Sequence, residues 1–240
     1  MGNTASVFAA LVNGGANDLI NCQILRKTGV NAEFSYQATD PITNLPVGDP
    51  APLLDIPAGG VQNYVLSLTP NSTVPAQDIE MHYFCDNGSP ADSVIGLNSI
   101  LFAGSSNPIP DVIALAATIN SDGIVHIPGS TGGGGSTGVF SVAVVNVGAE
   151  GDIEVSADTG DNTLPLVITL CETTPATGAC LAPPDLTVDT TISASATATF
   201  GVFVEASGEV PFNPATNRVF VRFRNLGQVR GATSVAAETP

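Results

Sequence analysis

Tryptophan is absent from this 240-residue chain, lysine occurs once, at Lys27, and histidine twice, at His82 and His126. Each shortage excludes something. Without tryptophan, and with three tyrosines, the exposed aromatic platforms that hold sugar rings are scarce. Six basic residues against 22 acidic ones leave a net charge of −16. A sheath of like charge keeps a protein soluble and repels polyanions, so neither nucleic acid nor an anionic membrane surface is an expected partner. No apolar run reaches the length of about 18 residues that a spanning helix needs, so no membrane insertion is expected. The start "MGNTASVFAALVNGG" has no basic region and no long apolar core. The expected location is therefore secreted or cell surface, with any leader already removed.

What is present points to β structure. Apolar residues make up 43% of the chain and charged residues 12%, the latter about half the usual share. Helices need Lys, Glu and Arg on their wet faces, whereas sheets are solvated by Thr, Ser and Asn. Short alternating runs fall near residues 6–13, 19–25, 31–38, 53–56, 61–68, 78–84 and 93–102, then near 139–146, 152–157, 164–171, 186–192, 196–205, 217–224 and 230–237. Turn residues punctuate them, as in "NGGAND", "DPITN", "CDNGSP" and "NLGQ". Seven short strands per half predict a sandwich or barrel, not βαβ units.

The halves repeat one another. "VFAALVNGGANDLINCQI" aligns with "VFSVAVVNVGAEGDIEVS", pairing Phe8 with Phe140, Asn13 with Asn146 and Gly15 with Gly148. "YQATDPITN" aligns with "LCETTPATG", and "DIPAGGVQNYVLSL" with "TISASATATFGVFV". "DIEMHYFCDNGSPADSVI" aligns with "NRVFVRFRNLGQVRGATSV". The expected division is a sandwich over 1–103, a connecting segment over 104–138 and a second sandwich over 139–240. The connector ends in a Gly/Ser-rich stretch that reads as a flexible linker. Within it, "PDVIALAATI" has no polar face and reads as a buried strand or short helix, and "DGIVHIPG" reads as a strand.

The repeat and its "NxG…P…IPAGG…Y" pattern resemble bacterial immunoglobulin-like modules of secreted and surface proteins, of the abnormal-spindle and hydin type. The resemblance implies two tandem immunoglobulin-like antiparallel β-sandwich domains, an all-β chain. It also implies a role in adhesion, spacing or assembly, and it brings no catalytic residues. Four cysteines, Cys22, Cys85, Cys171 and Cys180, allow three disulfide pairings. Cys22 shares a face with Ile20 and Ile24, and Cys85 with Ile79, Met81 and Tyr83, by period two. Their places on the second and penultimate strands resemble the inter-sheet bridge of immunoglobulin-like domains, although the core tryptophan is missing. Val155 and Asn225 stand at the matching places of the second half. Cys171–Cys180 around "ETTPATGA" reads as a hairpin staple.

Several constellations compete with plain surface chemistry. Glu150, Asp152, Asp158 and Asp161, with Glu154 beside them, form an acidic loop region where calcium is the candidate ion. Asp40 and Asp49 form a second, weaker one. Asp158-Thr159-Gly160 matches the aspartic-protease triplet but has no second copy, and that chemistry needs two aspartates sharing a proton. No GxSxG elbow accompanies His82, so no enzyme is expected. Four of the six basic residues, Arg218, Arg222, Arg224 and Arg230, cluster near the end of the chain. They read as an edge guard, or as a contact strip for an acidic neighbour. The functional expectation is a non-enzymatic structural or adhesive module that self-associates or binds protein partners, into filaments or a surface layer. The segment 110–119 is the candidate for a strand donated between subunits. The alternative is a ligand- or carbohydrate-binding segment of a larger surface protein.

Overall fold

A computed structural model describes residues 2–128 and 137–240. Among them there are strands, turns and loops, and no helix. The chain divides between Ser106 and Asn107 into two units. The first holds β1 (Ala5–Val12), β2 (Leu19–Arg26), β3 (Ala32–Thr39), β4 (Pro46–Val47), β5 (Leu54–Ile56), β6 (Val61–Pro70), β7 (Val74–Ile79), β8 (Met81–Phe84) and β9 (Ile100–Gly104). The second holds β10 (Val112–Thr118), β11 (Ile124–His126), β12 (Thr137–Asn146), β13 (Gly151–Asp158), β14 (Leu166–Thr173), β15 (Thr187–Ile192), β16 (Thr197–Ala206), β17 (Arg218–Asn225) and β18 (Gln228–Glu238).

Strict alternation builds the second unit. Phe140, Val142 and Val144 of β12 point inward and are buried, while Val139, Ser141 and Ala143 face out. Phe200, Val202 and Val204 of β16 do the same beside them. The sheet β10-β12-β16-β14 packs its inner row against Ile153, Val155, Val219, Val221, Phe223 and Val235 of the sheet β11-β18-β17-β13-β15. Phe200 and Phe223 meet edge to face across the core, with centroids 5.6 Å apart. Each fully buried Phe or Val side chain contributes about 1.5–3 kcal/mol by leaving water. The β17–β18 hairpin closes through Leu226 and Gly227, both with positive φ. That is the two-residue turn whose twist matches paired strands.

This is an all-β, immunoglobulin-like sandwich, as expected, with one departure. In the immunoglobulin order the strand beside the C position precedes the one beside E. Here β14 joins β16 first, and β15 then returns to β13.

The first unit repeats the pairing scheme. Its β1-β6-β3 ladder corresponds to β12-β16-β14, and β5-β2-β8 to β15-β13-β17. The buried Tyr64 takes the place of Phe200, and its T-shaped partner is Tyr36, 5.9 Å away. Burial pushes the Tyr64 hydroxyl up to about 12. Two residue matches need correction. Ala9 pairs with Tyr64 where Val142 pairs with Phe200, so Val7, not Phe8, stands at the place of Phe140. Cys22 pairs with Leu54 where Ile153 pairs with Thr190, so Cys22 corresponds to Ile153, not Val155. The cause is a bulge in β2, where Asn21 has φ of 50°. The strand expected over 78–84 is split at Glu80. β7 pairs with β9, and β8 pairs with β2. Of the strand expected over 93–102, only Ile100 onward is a strand.

The largest departure concerns the connecting segment. β10 and β11 lie in the segment expected to connect the two halves, and both are strands of the second unit. β10 runs antiparallel to β12, and β11 runs parallel to β18. The Gly/Ser-rich stretch over 129–136 lies outside the described residues. Four glycines clear the path. A Cβ on Gly148 would lie 2.3 Å from Ile109 O, on Gly151 2.4 Å from Pro110 Cγ, on Gly231 2.0 Å from Val112 O and on Gly138 2.8 Å from Val125 Cγ2. In the first unit Ala5 and Leu19 occupy the places of Gly138 and Gly151, and no strand lies there among the described residues. Gly231→Ala is therefore expected to dislodge β10 from its own sheet. Hydrogen exchange should show the amides of Ile113, Leu115 and Ala117 losing protection, while β16 keeps its own.

Candidate functional site

The open edge of β1 follows directly from that difference. Val7, Ala9 and Leu11 face the interior, yet Val7 is 39% exposed where Phe140 in the second unit is 4%. On the outer face Phe8 and Val12 are each 60% exposed. A cavity of 350 Å³ opens along this strand, walled by Leu66, Tyr83, Leu97 and Ile100. None of its lining residues is charged. The Asn13 N–H donates to Gly60 O at 2.9 Å. Antiparallel ladders alternate, so Leu11, Ala9 and Val7 aim their N–H groups at β6, and Val12, Ala10 and Phe8 aim theirs at the open edge.

β10 presents a second open edge. Val147 N–H donates to Asp111 O at 2.8 Å, so Ile113, Leu115 and Ala117 bond to β12 and the N–H groups of Val112, Ala114 and Ala116 point away. Its outer face exposes Ile113 at 55% and Leu115 at 72%. The segment expected to be donated between subunits is thus built into its own sandwich, with its far edge open at Ala114 and Ala116, while the Val112 carbonyl packs against Gly231.

The arginine cluster is largely occupied within its own unit. Arg222 donates to Asp158 through Nε at 2.6 Å and Nη2 at 3.2 Å, and lies 5.0 Å over the Phe220 ring. Arg224 donates to Ser156 Oγ, and its Nη2 stands 4.0 Å from Asp158. Arg218 donates to Ser234 Oγ, Ser234 O and Pro214 O. Arg230 has a buried Nε without a hydrogen-bond partner. Arg218 thus ties β17 to β18, and Arg222 and Arg224 tie it to β13.

The acidic residues do not converge either. Ser193 Oγ donates to Glu150, and Thr191 Oγ1 donates to Asp152, each at 2.7 Å. Burial alone would raise the Asp158 carboxyl, but the donors Arg222 and Gly160 N–H outweigh it and hold it below the usual range. Asp161 lies in the turn after β13. Among the described residues no three His, Cys, Asp or Glu side chains are placed to hold a metal. Asp40 caps its own turn, accepting from Ile42 and Thr43 N–H. His82 packs edge-on against Phe84 at 5.1 Å.

Both expected disulfides form, Cys22–Cys85 and Cys171–Cys180. The first differs from the immunoglobulin arrangement. β2 and β8 are neighbours in one sheet, so the bridge crosses adjacent strands with Cα atoms 4.0 Å apart, instead of joining two sheets. Cys22, Cys85 and Ile56 form a small separate core.

One cluster was not anticipated. His126 Nε2 meets Asp122 at 2.8 Å and its Nδ1 meets Glu238 at 2.8 Å. The Asp-x-x-x-His spacing is visible in the sequence, but Glu238 arrives only through the β11–β18 pairing. Hydrogen bonding to Asp122 raises the His126 imidazole above the ordinary histidine value, and His126 in turn holds Asp122 well below the usual carboxylate range. The raised histidine stabilises the fold fully below the unfolded value, and loses that contribution as pH rises through its folded value. The lowered aspartate contributes above its unfolded value, and loses that as pH falls through its folded one. The pairing is therefore strongest between about pH 4 and 6.5. An NMR titration should show His126 deprotonating above 6.5, and Glu238→Gln should lower its midpoint.

No protein-family model matches the chain. No curated protein matches it in sequence. Among solved structures, the CupB6 tip adhesin from Pseudomonas aeruginosa aligns at 8% identity and TM-score 0.28, over 99% of this chain and 90% of that one. The C-terminal domain of the Streptococcus pyogenes antigen I/II-family protein AspA aligns at 9% identity and TM-score 0.28, over 99% and 93%. The secreted serine protease VesC from Vibrio cholerae aligns at 9% identity and TM-score 0.27, over 95% of this chain and 48% of that one. Likenesses of this size assign no function. Among the described residues no helix is long and apolar enough to cross a membrane.

Proposed function

We propose that this chain is a non-enzymatic structural or adhesive module that works outside the cell by self-association, into filaments or a surface layer. Its sandwiches would be modules of the abnormal-spindle and hydin kind. The observation that carries this reading is the pair of open, uncharged edges on β1 and β10, on a chain whose charged side chains are mostly engaged within their own units. Two disulfides support an oxidising compartment, where such bonds persist. A carbohydrate-binding role finds less support. The cleft of 690 Å³ beside β13 is lined by Asp152, Glu154, Asp189, Arg224, Asn225 and Leu226 among others, with no aromatic side chain on which a sugar ring could stack. Light scattering over a wide concentration range, with negative-stain imaging, tests the reading. Mass rising with concentration is the expected result. A 24.2 kDa monomer at every concentration, with and without calcium, would overturn it.

A further inference from the structure

An exposed sheet edge is a template for another strand, and proteins usually guard it with charge, proline or brevity. Five other edge strands of this chain carry such guards. β4 has two residues, one of them Pro46. β5 is three residues long and contains Asp55. β11 is three residues long and holds His126 between two carboxylates. β14 contains Glu172 and β15 contains Asp189. β8 and β9 also lack acidic residues, lysine, arginine and proline but are four and five residues long, whereas β1 has eight residues and β10 seven, likewise without a charge or a proline. On a chain of net charge −16, these are the edges where two copies meet without opposing like charges.

We infer that the open edge of β1 in one copy takes the open edge of β10 in a second copy, extending one sheet across the two molecules. This inference rests on the self-association reading and names its surface. β10 bonds to β12, the counterpart of β1, through Ile113, Leu115 and Ala117, so its opposite edge is the one left for a second copy. In the proposed contact the two strands run parallel, and the N–H and C=O groups of Phe8, Ala10 and Val12 bond to the C=O and N–H groups of Ala114 and Ala116. Phe8 and Val12 then flank Ile113 and Leu115 on the outer face, and the second copy covers the mouth beside Val7 and Leu11. Because the two edges differ, the contact is heterologous. Repeated head to tail, it does not close on itself unless the rotation returns to its start.

Proline removes a donor, and it is tolerated on an edge whose N–H faces solvent. Ala10→Pro deletes a donor on the β1 edge, and Ala116→Pro one on the β10 edge, without touching the ladders to β6 and β12. Each variant alone should remain at 24.2 kDa by sedimentation, at concentrations where the unsubstituted chain associates. An equimolar mixture should give a species of twice that mass and nothing larger, because each copy keeps one good edge. Association surviving in Ala116→Pro but lost in Ala10→Pro would mean β1 pairs with β1, and the converse would mean β10 pairs with β10. Either result overturns the inference, as does association unchanged in both, and all three leave the self-association reading standing. As a check independent of the variants' folding, the amides of Phe8, Ala10, Ala114 and Ala116 should exchange more slowly as the concentration of the unsubstituted chain rises. Association without that protection also overturns the inference.

Discussion

Asn146→Ala is expected to destabilise the second unit by about 3 kcal/mol or more, several buried hydrogen-bonding groups losing their partner at once. Asn146 is fully buried. Its Nδ2 donates to Ala149 O at 2.7 Å and Ile192 O at 2.9 Å, and its Oδ1 accepts from Asp111 and Gly148 N–H at 3.1 Å each. One amide thus ties the end of β12 to β15, to its own turn and to the start of β10. Alanine leaves those backbone groups unpaired in a dry place. Asn146→Asp should be nearly as damaging, because a carboxylate cannot donate to the two carbonyls. Urea unfolding followed by hydrogen exchange checks both, with the amides of β10 and β15 losing protection first. The first unit contains the same device. Asn13 Nδ2 donates to Asn17 O, Ile56 O and Pro57 O, and its Oδ1 accepts from Gly15 N–H. Asn13→Ala is expected to weaken the first unit and leave the second unchanged.

Removing the Cys22–Cys85 bridge, by paired Cys→Ala substitution, should cost the first unit about 4 kcal/mol. Removing Cys171–Cys180 should cost the second about 3 kcal/mol. The difference comes from loop length. The first bridge spans 63 residues and the second 9, and a longer closed loop restrains the unfolded chain more. Burial adds to the first effect, since both Cys22 and Cys85 lie in the core, whereas Cys180 sits on an exposed loop. Differential scanning calorimetry should resolve two transitions, and reductant should lower the one belonging to the first unit further. An equal shift of both would contradict the loop-length account.

Much of the fold was legible because a strand's two faces are written directly as alternation. "VFSVAVV" and "TATFGVFV" read as half-buried strands without reference to the rest of the chain, and they are β12 and β16. "NLGQ" read as a turn, and it closes β17 onto β18. The pairing of Cys22 with Cys85 was legible from faces and the immunoglobulin resemblance. That both lie in one sheet was not, because alternation says which face a residue takes and nothing about which strand lies alongside. The one-residue error at Phe8 has a similar origin. Aligning phenylalanine with phenylalanine is chemically natural, but inward positions count from the Asn13 anchor, and that places Val7 inside. The arginine cluster was visible as a run of charge. That Asp158 and Ser156 occupy it depends on the β13–β17 register.

By itself, the sequence determined the class of structure and the two-unit organisation. These follow from local pattern and composition. Only the tertiary structure decided that 112–126 belongs to the second sandwich, that His126 meets Glu238, and that β1 lacks the neighbour β12 has. Each of these depends on which distant segments lie side by side. The path of the 109–127 segment is open because glycines stand at 148, 151 and 231 beside the start of β10 and at 138 beside β11. The matching path in the first unit meets Ala5 and Leu19, and a missing Cβ acquires its meaning only when another backbone comes within two or three ångströms of it.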